Sequence, residues 1–143
     1  GITPEKTFRT EGFNSAIGTV LFDGNQVYGV SMHGELCGLD AATGRRLWTS
    51  LALTGETVPK DKWFTAFLVP YNKHNFIFTD KGDLFIARLS VAGYEQLDKA
   101  HLCDPDMPLG ARKVIWSHPA FANRCIIVRR NSELVAFSLA ATE

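Results

Sequence analysis

The 143-residue chain lacks most of the features that announce a function from sequence alone. Lys plus Arg equals Asp plus Glu at 15 each, so the basic excess of a nucleic-acid-binding protein is missing. The pairs Arg45-Arg46 and Arg129-Arg130 read as solvated strand ends. No apolar run approaches the roughly 20 residues a helix needs to span a bilayer. Cys37, Cys103 and Cys125 form no CxxC pair and sit too far apart in sequence for a zinc site. Cys37 and Cys125 read instead as small apolar strand residues. Neither a phosphate-cradling glycine loop nor a G-x-S-x-G elbow occurs. The chain opens on Gly1, without an initiator methionine or a charged-then-apolar leader, which reads as an excised piece of a longer protein.

What the chain does have is enough apolar content to fold and a pattern that recurs. Hydrophobic residues make up 45% and charged residues 21%, the balance of a folded domain rather than a disordered one. The segments HGEL (33–36), KGDL (81–84) and NSEL (131–134) place Leu36, Leu84 and Leu134 at intervals of 48 and 50 residues. Each is preceded and followed by a β-rich run, and Gly44 and Gly93 recur at a similar interval. Upstream, IGTVLFDGN (17–25) corresponds to TAFLVPYNK (65–73) and SHPAFANR (117–124). A fixed period of about 50 residues is the signature of a repeat architecture.

Each unit reads as four short strands joined by turns in which glycine supplies positive φ. The first contains strands at 19–22, 26–30, 35–40 and 46–50; the second at 65–69, 76–79, 83–89 and 94–100; the third at 116–120, 125–129 and 133–138. The segment 93–102 also carries helical spacing, but its registration with the first unit favours a strand. Residues 54–62 and 103–112 read as loop connectors. Four-stranded antiparallel units at this period predict an all-β chain of about three β-propeller blades, a fragment of a larger propeller. The blade-like units are 14–53, 63–102 and 113–143, and residues 1–13 read as the outer strand of a preceding blade.

The run VYGVSMHGELCGLDAATGRRLW (27–48) resembles the repeat of the pyrroloquinoline-quinone (PQQ)-like propellers, with Gly34, Leu36, Leu39, Asp40, Thr43, Gly44 and Trp48 at matching positions. The second unit keeps Gly82, Leu84, Leu89 and Gly93 but has Leu97 in place of the tryptophan. The third has Ser132 in place of the turn glycine. WSHPAFANRCIIVRRNSELVAFSLA (116–140) is similar to the C-terminal blade of bacterial proteins of this kind. The resemblance implies structural roles for these residues. Gly34 and Gly44 permit turns, Asp40 accepts hydrogen bonds from the 41–44 turn, and Trp48 packs between neighbouring blades.

In the quinoprotein dehydrogenases of that family, the resemblance would imply Ca²⁺ held by carboxylates, an aspartate base, a stacking tryptophan and a disulfide between adjacent cysteines. This chain has no adjacent cysteines, its carboxylates cluster in turns, and Trp48, Trp63 and Trp116 read as blade-packing or connector residues. No cofactor is therefore expected, neither PQQ nor Ca²⁺. His33 and His74 fall in turns, His101 ends a strand and His118 precedes Pro119. Ser117, His118 and Asp106 could be drawn as a triad, Asp104 and Asp106 as calcium ligands, and Asp80 and Asp83 as the start of a calcium loop. In each case a surface or turn role accounts for the residues more simply.

No catalytic, cofactor-binding or metal residue is thus assigned. The functional expectation is a non-catalytic binding or scaffolding propeller whose loops meet a protein, peptide or glycan. The alternative is a fragment of a PQQ- and Ca²⁺-dependent oxidoreductase. Periplasmic or extracellular placement follows from the resemblance alone. Strand counting adds one more expectation: with about three blades and bare edges, copies associate, residues 6–11 of one chain pairing near 133–138 of another.

Overall fold

The computed structural model describes residues 15–57 and 63–140, and among them there are strands and turns but no helix. The first sheet is a meander of β1 (Leu21–Asp23), β2 (Gln26–Val30), β3 (Leu36–Asp40) and β4 (Arg46–Ser50). The second repeats it with β5 (Ala66–Tyr71), β6 (His74–Thr79), β7 (Asp83–Ser90) and β8 (Gly93–His101). A short hairpin follows, β9 (Met107–Leu109) with β10 (Arg112–Val114). The third sheet has three strands, β11 (Ala120–Ala122), β12 (Cys125–Arg129) and β13 (Leu134–Ser138). All pairings are antiparallel. The strand expected in residues 1–13 lies outside the described residues.

The sheets stack face to face, and alternation along each strand supplies both interfaces. Ala66, Leu68, Ile77, Phe85 and Ala87 of the second sheet meet Tyr28, Val30 and Leu36 of the first. Their neighbours in sequence, Phe67, Phe78 and Leu84, point the other way and meet Ile126 and Val128 of the third sheet and Ile115 beside it. A period of two along a strand buried on both faces is what divides the residues between two cores.

Two expectations need correcting. The connector 103–112 is not plain loop, because Leu109 and Arg112 pair around Gly110, which lies at φ 57°. Pro108 is tolerated there, since a two-stranded ribbon has free edges where a missing N–H costs nothing. The strand expected at 116–120 instead begins at Ala120. Pro119 has no N–H to give a ladder, and Ser117 turns its hydroxyl to the carbonyl of Arg129. The ambiguous segment 93–102 is strand β8.

The turns at the lower end of the first two sheets show why their glycines are needed. Gly34 and Gly82 sit at φ 87° and 86°. A Cβ on Gly82 would lie 1.8 Å from the Cys103 carbonyl oxygen, and one on Gly34 would lie 2.5 Å from the Thr54 methyl. The third turn is built differently. Asp106, arriving from the connector, accepts the N–H groups of Asn131 (2.7 Å) and Ser132 (3.1 Å) and the Ser132 hydroxyl (2.7 Å). These bonds hold its carboxyl down at about 2. Serine in place of glycine at 132 thus goes with a different fastening.

Trp48 does stand between two blades. Its Nε1 donates to the Ser90 carbonyl of the second sheet at 2.8 Å, and its ring lies 5.9 Å from that of Tyr28. It is half-buried rather than enclosed. Gly38 lies opposite it in the ladder, and a Cβ there would come within 2.5 Å of the indole. In the second sheet the corresponding pair is Ile86 with Asp98, not Leu97. Both outer strands carry a bulge, but eight residues separate Ala87 from its partner Gln96, against six between Leu39 and Arg46. Aligning the two glycines therefore slips the register of the outer strand.

Candidate binding groove at the hairpin tips

In each sheet the first two strands meet in a tight turn, at 23–26, 71–74 and 122–125. The first turn residue is left-handed in all three: Gly24 at φ 57°, Asn72 at 53° and Asn123 at 51°. Asparagine tolerates this region better than other non-glycine residues. Arg124 follows Asn123 at φ 57°, so both central residues of the third turn are left-handed, the backbone of a type I′ hairpin. The meander places these tips at the same end of the stacked sheets, and stacking leaves a gap between each tip and the next.

The gap between the second and third tips is a groove of about 340 Å³. Phe76 and Phe121 stack at 4.8 Å with 14° between their planes, and Tyr71 leans on Phe76 at 5.6 Å. Ala122, Leu139 and Cys125 complete an apolar lining, and Asn123 and Arg124 stand at its edge. Tyr71 is 57% exposed. The side chains of Asn123 and Arg124 make no hydrogen bond or ion pair with any described residue. Between the first and second tips lies a more polar cleft of about 180 Å³, lined in part by Asp23, Asn72, Lys73 and His74.

The chemical candidates drawn from the sequence do not converge. Ser117 is bonded to Arg129, while the His118 ring packs 5.0 Å from Phe67 with its Nδ1 2.8 Å from the Pro119 carbonyl. Asp106 belongs to the 131–132 turn. Asp104 instead meets His101, whose Nε2 lies 3.0 Å from it and whose Nδ1 lies 2.8 Å from Asp83. The two carboxylates raise the His101 pKa, Asp83 most, against an opposing effect of burial. Lys99 adds an ion pair to Asp83 at 3.3 Å. Asp80 is fully buried, accepting from the Thr65 N–H at 3.2 Å and from Arg112 at 3.0 Å. Burial raises its pKa against the pull of Arg112. Among the described residues, no three His, Cys, Asp or Glu side chains gather as metal ligands. Cys37 is buried, and Cys103 and Cys125 are partly buried free thiols. Trp63 is 53% exposed at φ 62° in the connector, and Trp116 lines a small cavity of about 80 Å³ beside Arg130.

Sequence reading missed the groove because its aromatics come from different strand positions. Tyr71 and Phe121 lie on first strands but are not equivalent in the repeat, and Phe76 lies on a second strand. The one available signal was the pair of asparagine turns, YNKH and ANRC, at corresponding places.

No protein-family model matches the chain, and no curated protein matches it. Among solved structures it is similar to BamB from Moraxella catarrhalis, with a TM-score of 0.55 and 16% identity over 84% of this chain and 32% of that one. The chain thus spans about a third of BamB's length. Two computationally designed proteins also align. Ika8 does so at a TM-score of 0.49 and 13% identity, over 86% of this chain and 33% of its own. Ika4 does so at 0.48 and 12%, over 96% of this chain and 100% of its own. The likeness to BamB concerns the fold: this is an all-β chain of propeller-type blades.

Proposed function

We propose that the chain is a non-catalytic β-propeller segment that binds or scaffolds a protein, meeting it with the rim formed by its hairpin tips. One contrast supports this reading. The groove between the second and third tips is aromatic, open and edged by uncommitted polar side chains, whereas Ser117, Asp106 and His101 are tied into turns and ion pairs. Large, half-exposed aromatics beside Arg are the composition of protein-binding surfaces. The likeness to PQQ-like repeats supports an exported setting, periplasmic or extracellular.

Site-specific photo-crosslinkers at positions 73 and 123, in cells expressing the protein, test the reading. Discrete protein adducts are expected from these tips and not from position 54 at the opposite end. The absence of any adduct from the tips would overturn it. A tight stoichiometric quench of tryptophan fluorescence by PQQ with Ca²⁺ would overturn it in favour of a quinoprotein fragment.

A further inference from the structure

We propose that the groove between Tyr71 and Arg124 takes an extended acidic peptide segment, an aromatic side chain filling the apolar lining and a carboxylate one residue on pairing with Arg124. This rests on the binding reading above and names the chemistry of its partner. Three observations lead to it.

First, about 340 Å³ lies at the small end of ligand cavities, roughly 300–1,000 Å³, room for one or two side chains rather than a large cofactor. Second, the charge on this part of the rim has one sign. Arg124 edges the groove, Lys73 stands at the neighbouring tip, and among the described residues no carboxylate lines the groove. Neither cation is engaged by a described residue, so a carboxylate that enters meets no competitor among the described residues of the lining. Asp23 lies one hairpin further on, in the polar cleft. Third, the aromatics are arranged for a side chain rather than for a sugar. Phe76 and Phe121 already cover each other face to face, while a saccharide needs a flat open face ringed by several polar groups. Tyr71, exposed beside this stacked pair, is left to take another aromatic ring.

The test is titration of the ¹⁵N-labelled protein with acetyl-Ser-Gly-Phe-Glu-Asp-Ser-amide, followed by amide chemical shifts. Saturable shifts are expected at Tyr71, Asn123, Arg124 and Cys125, with a Kd of about 0.1–1 mM for one anchor and one exposed ion pair. Arg124→Gln should weaken binding up to about fivefold and Arg124→Lys should largely keep it, as for an exposed pair. Tyr71→Ala should weaken it by about tenfold. Tyr71 is largely exposed, so that variant is expected to stay folded. Equal binding of the peptide with Lys in place of both acids would overturn the proposal. So would shifts at other residues, or no shifts at 5 mM peptide. Saturable shifts at these residues with chitotetraose and none with the peptide would overturn it for a glycan. Concentration-dependent shifts at the same residues without any additive would assign the groove to a second copy. If the tips crosslink to a protein in cells while the peptide fails, the binding reading stands and only its peptide chemistry falls.

Discussion

Replacing Trp48 with alanine should lower stability by about 2–3 kcal/mol. A fully enclosed aromatic costs about 3–5 kcal/mol when truncated to alanine. Trp48 is half-buried, which brings the packing part to about 2 kcal/mol. The indole N–H bond to the Ser90 carbonyl adds about 0.5 kcal/mol, the low end for a bond whose acceptor can turn to water. Urea denaturation would read this as a drop in midpoint of about 1–2 M, taking m of about 1.5 kcal/mol/M. A double-mutant cycle sharpens the test. Gly38→Ala puts a methyl within 2.5 Å of the indole and should cost about 1–2 kcal/mol in the parent. In the Trp48→Ala background the space is empty, and the same change should be close to neutral. Strictly additive costs, or a Trp48→Ala penalty below about 0.5 kcal/mol, would show that the indole does not fill the gap above Gly38.

Gly82→Ala should be the most damaging of the turn substitutions, about 2 kcal/mol or more by thermal melting. It forces a methyl against the Cys103 carbonyl at a left-handed φ, whereas Gly24→Asn, with nothing within 4 Å, should cost well under 1 kcal/mol. Arg112→Met strands the buried Asp80 carboxylate and should destabilise by about 3 kcal/mol, while Arg112→Met with Asp80→Leu should recover much of that loss in the same melt. His101 links β7, β8 and the connector through Asp83 and Asp104, with Lys99 competing for Asp83. Its folded pKa is raised, so its contribution is fully present below the unfolded value of about 6.5 and is lost as pH rises through the folded one. Half-exposed as it is, the effect should be a few tenths of a kcal/mol, seen as a slope between about pH 6 and 8 that His101→Gln removes.

The sequence made the fold legible wherever one residue type has one local job. Gly34, Gly82 and Gly44 marked turns because only glycine sits comfortably at their φ, and the β-rich runs 65–69 and 76–79 marked strands, which the structure buries on both faces. Asp40 behaved as its turn suggested, accepting the Thr43 hydroxyl at 2.7 Å and the Thr43 N–H at 2.8 Å, bonds that hold its pKa down. Local pattern was blind to what depends on distant partners. Pairing in 107–114 was hidden behind proline and glycine. The depth of the groove depends on Phe76 meeting Phe121 across two sheets. The slip from Leu97 to Asp98 needed the length of a hairpin whose pairing no periodicity records.

The capping of the third lower turn by Asp106 makes the sheets unequal in the order they can form. The turns at 31–35 and 79–83 close from within, through backbone and hydroxyl bonds spanning four residues or fewer. The turn at 130–133 has one such bond, from the Arg130 N–H to the Glu133 carbonyl, and an Arg130–Glu133 ion pair, but its tip is fastened by a residue about 25 positions earlier. That residue is held in place only once the connector has settled against the second sheet, where Arg112 reaches Asp80 and Ile115 donates to its carbonyl. Closure is wholly local for the turns of the first two blades and only partly so for the third, whose remaining bonds wait on loop closure. Amide protection should therefore grow outward from the second sheet and reach β12 and β13 last, which makes them the first to open when the connector is disturbed.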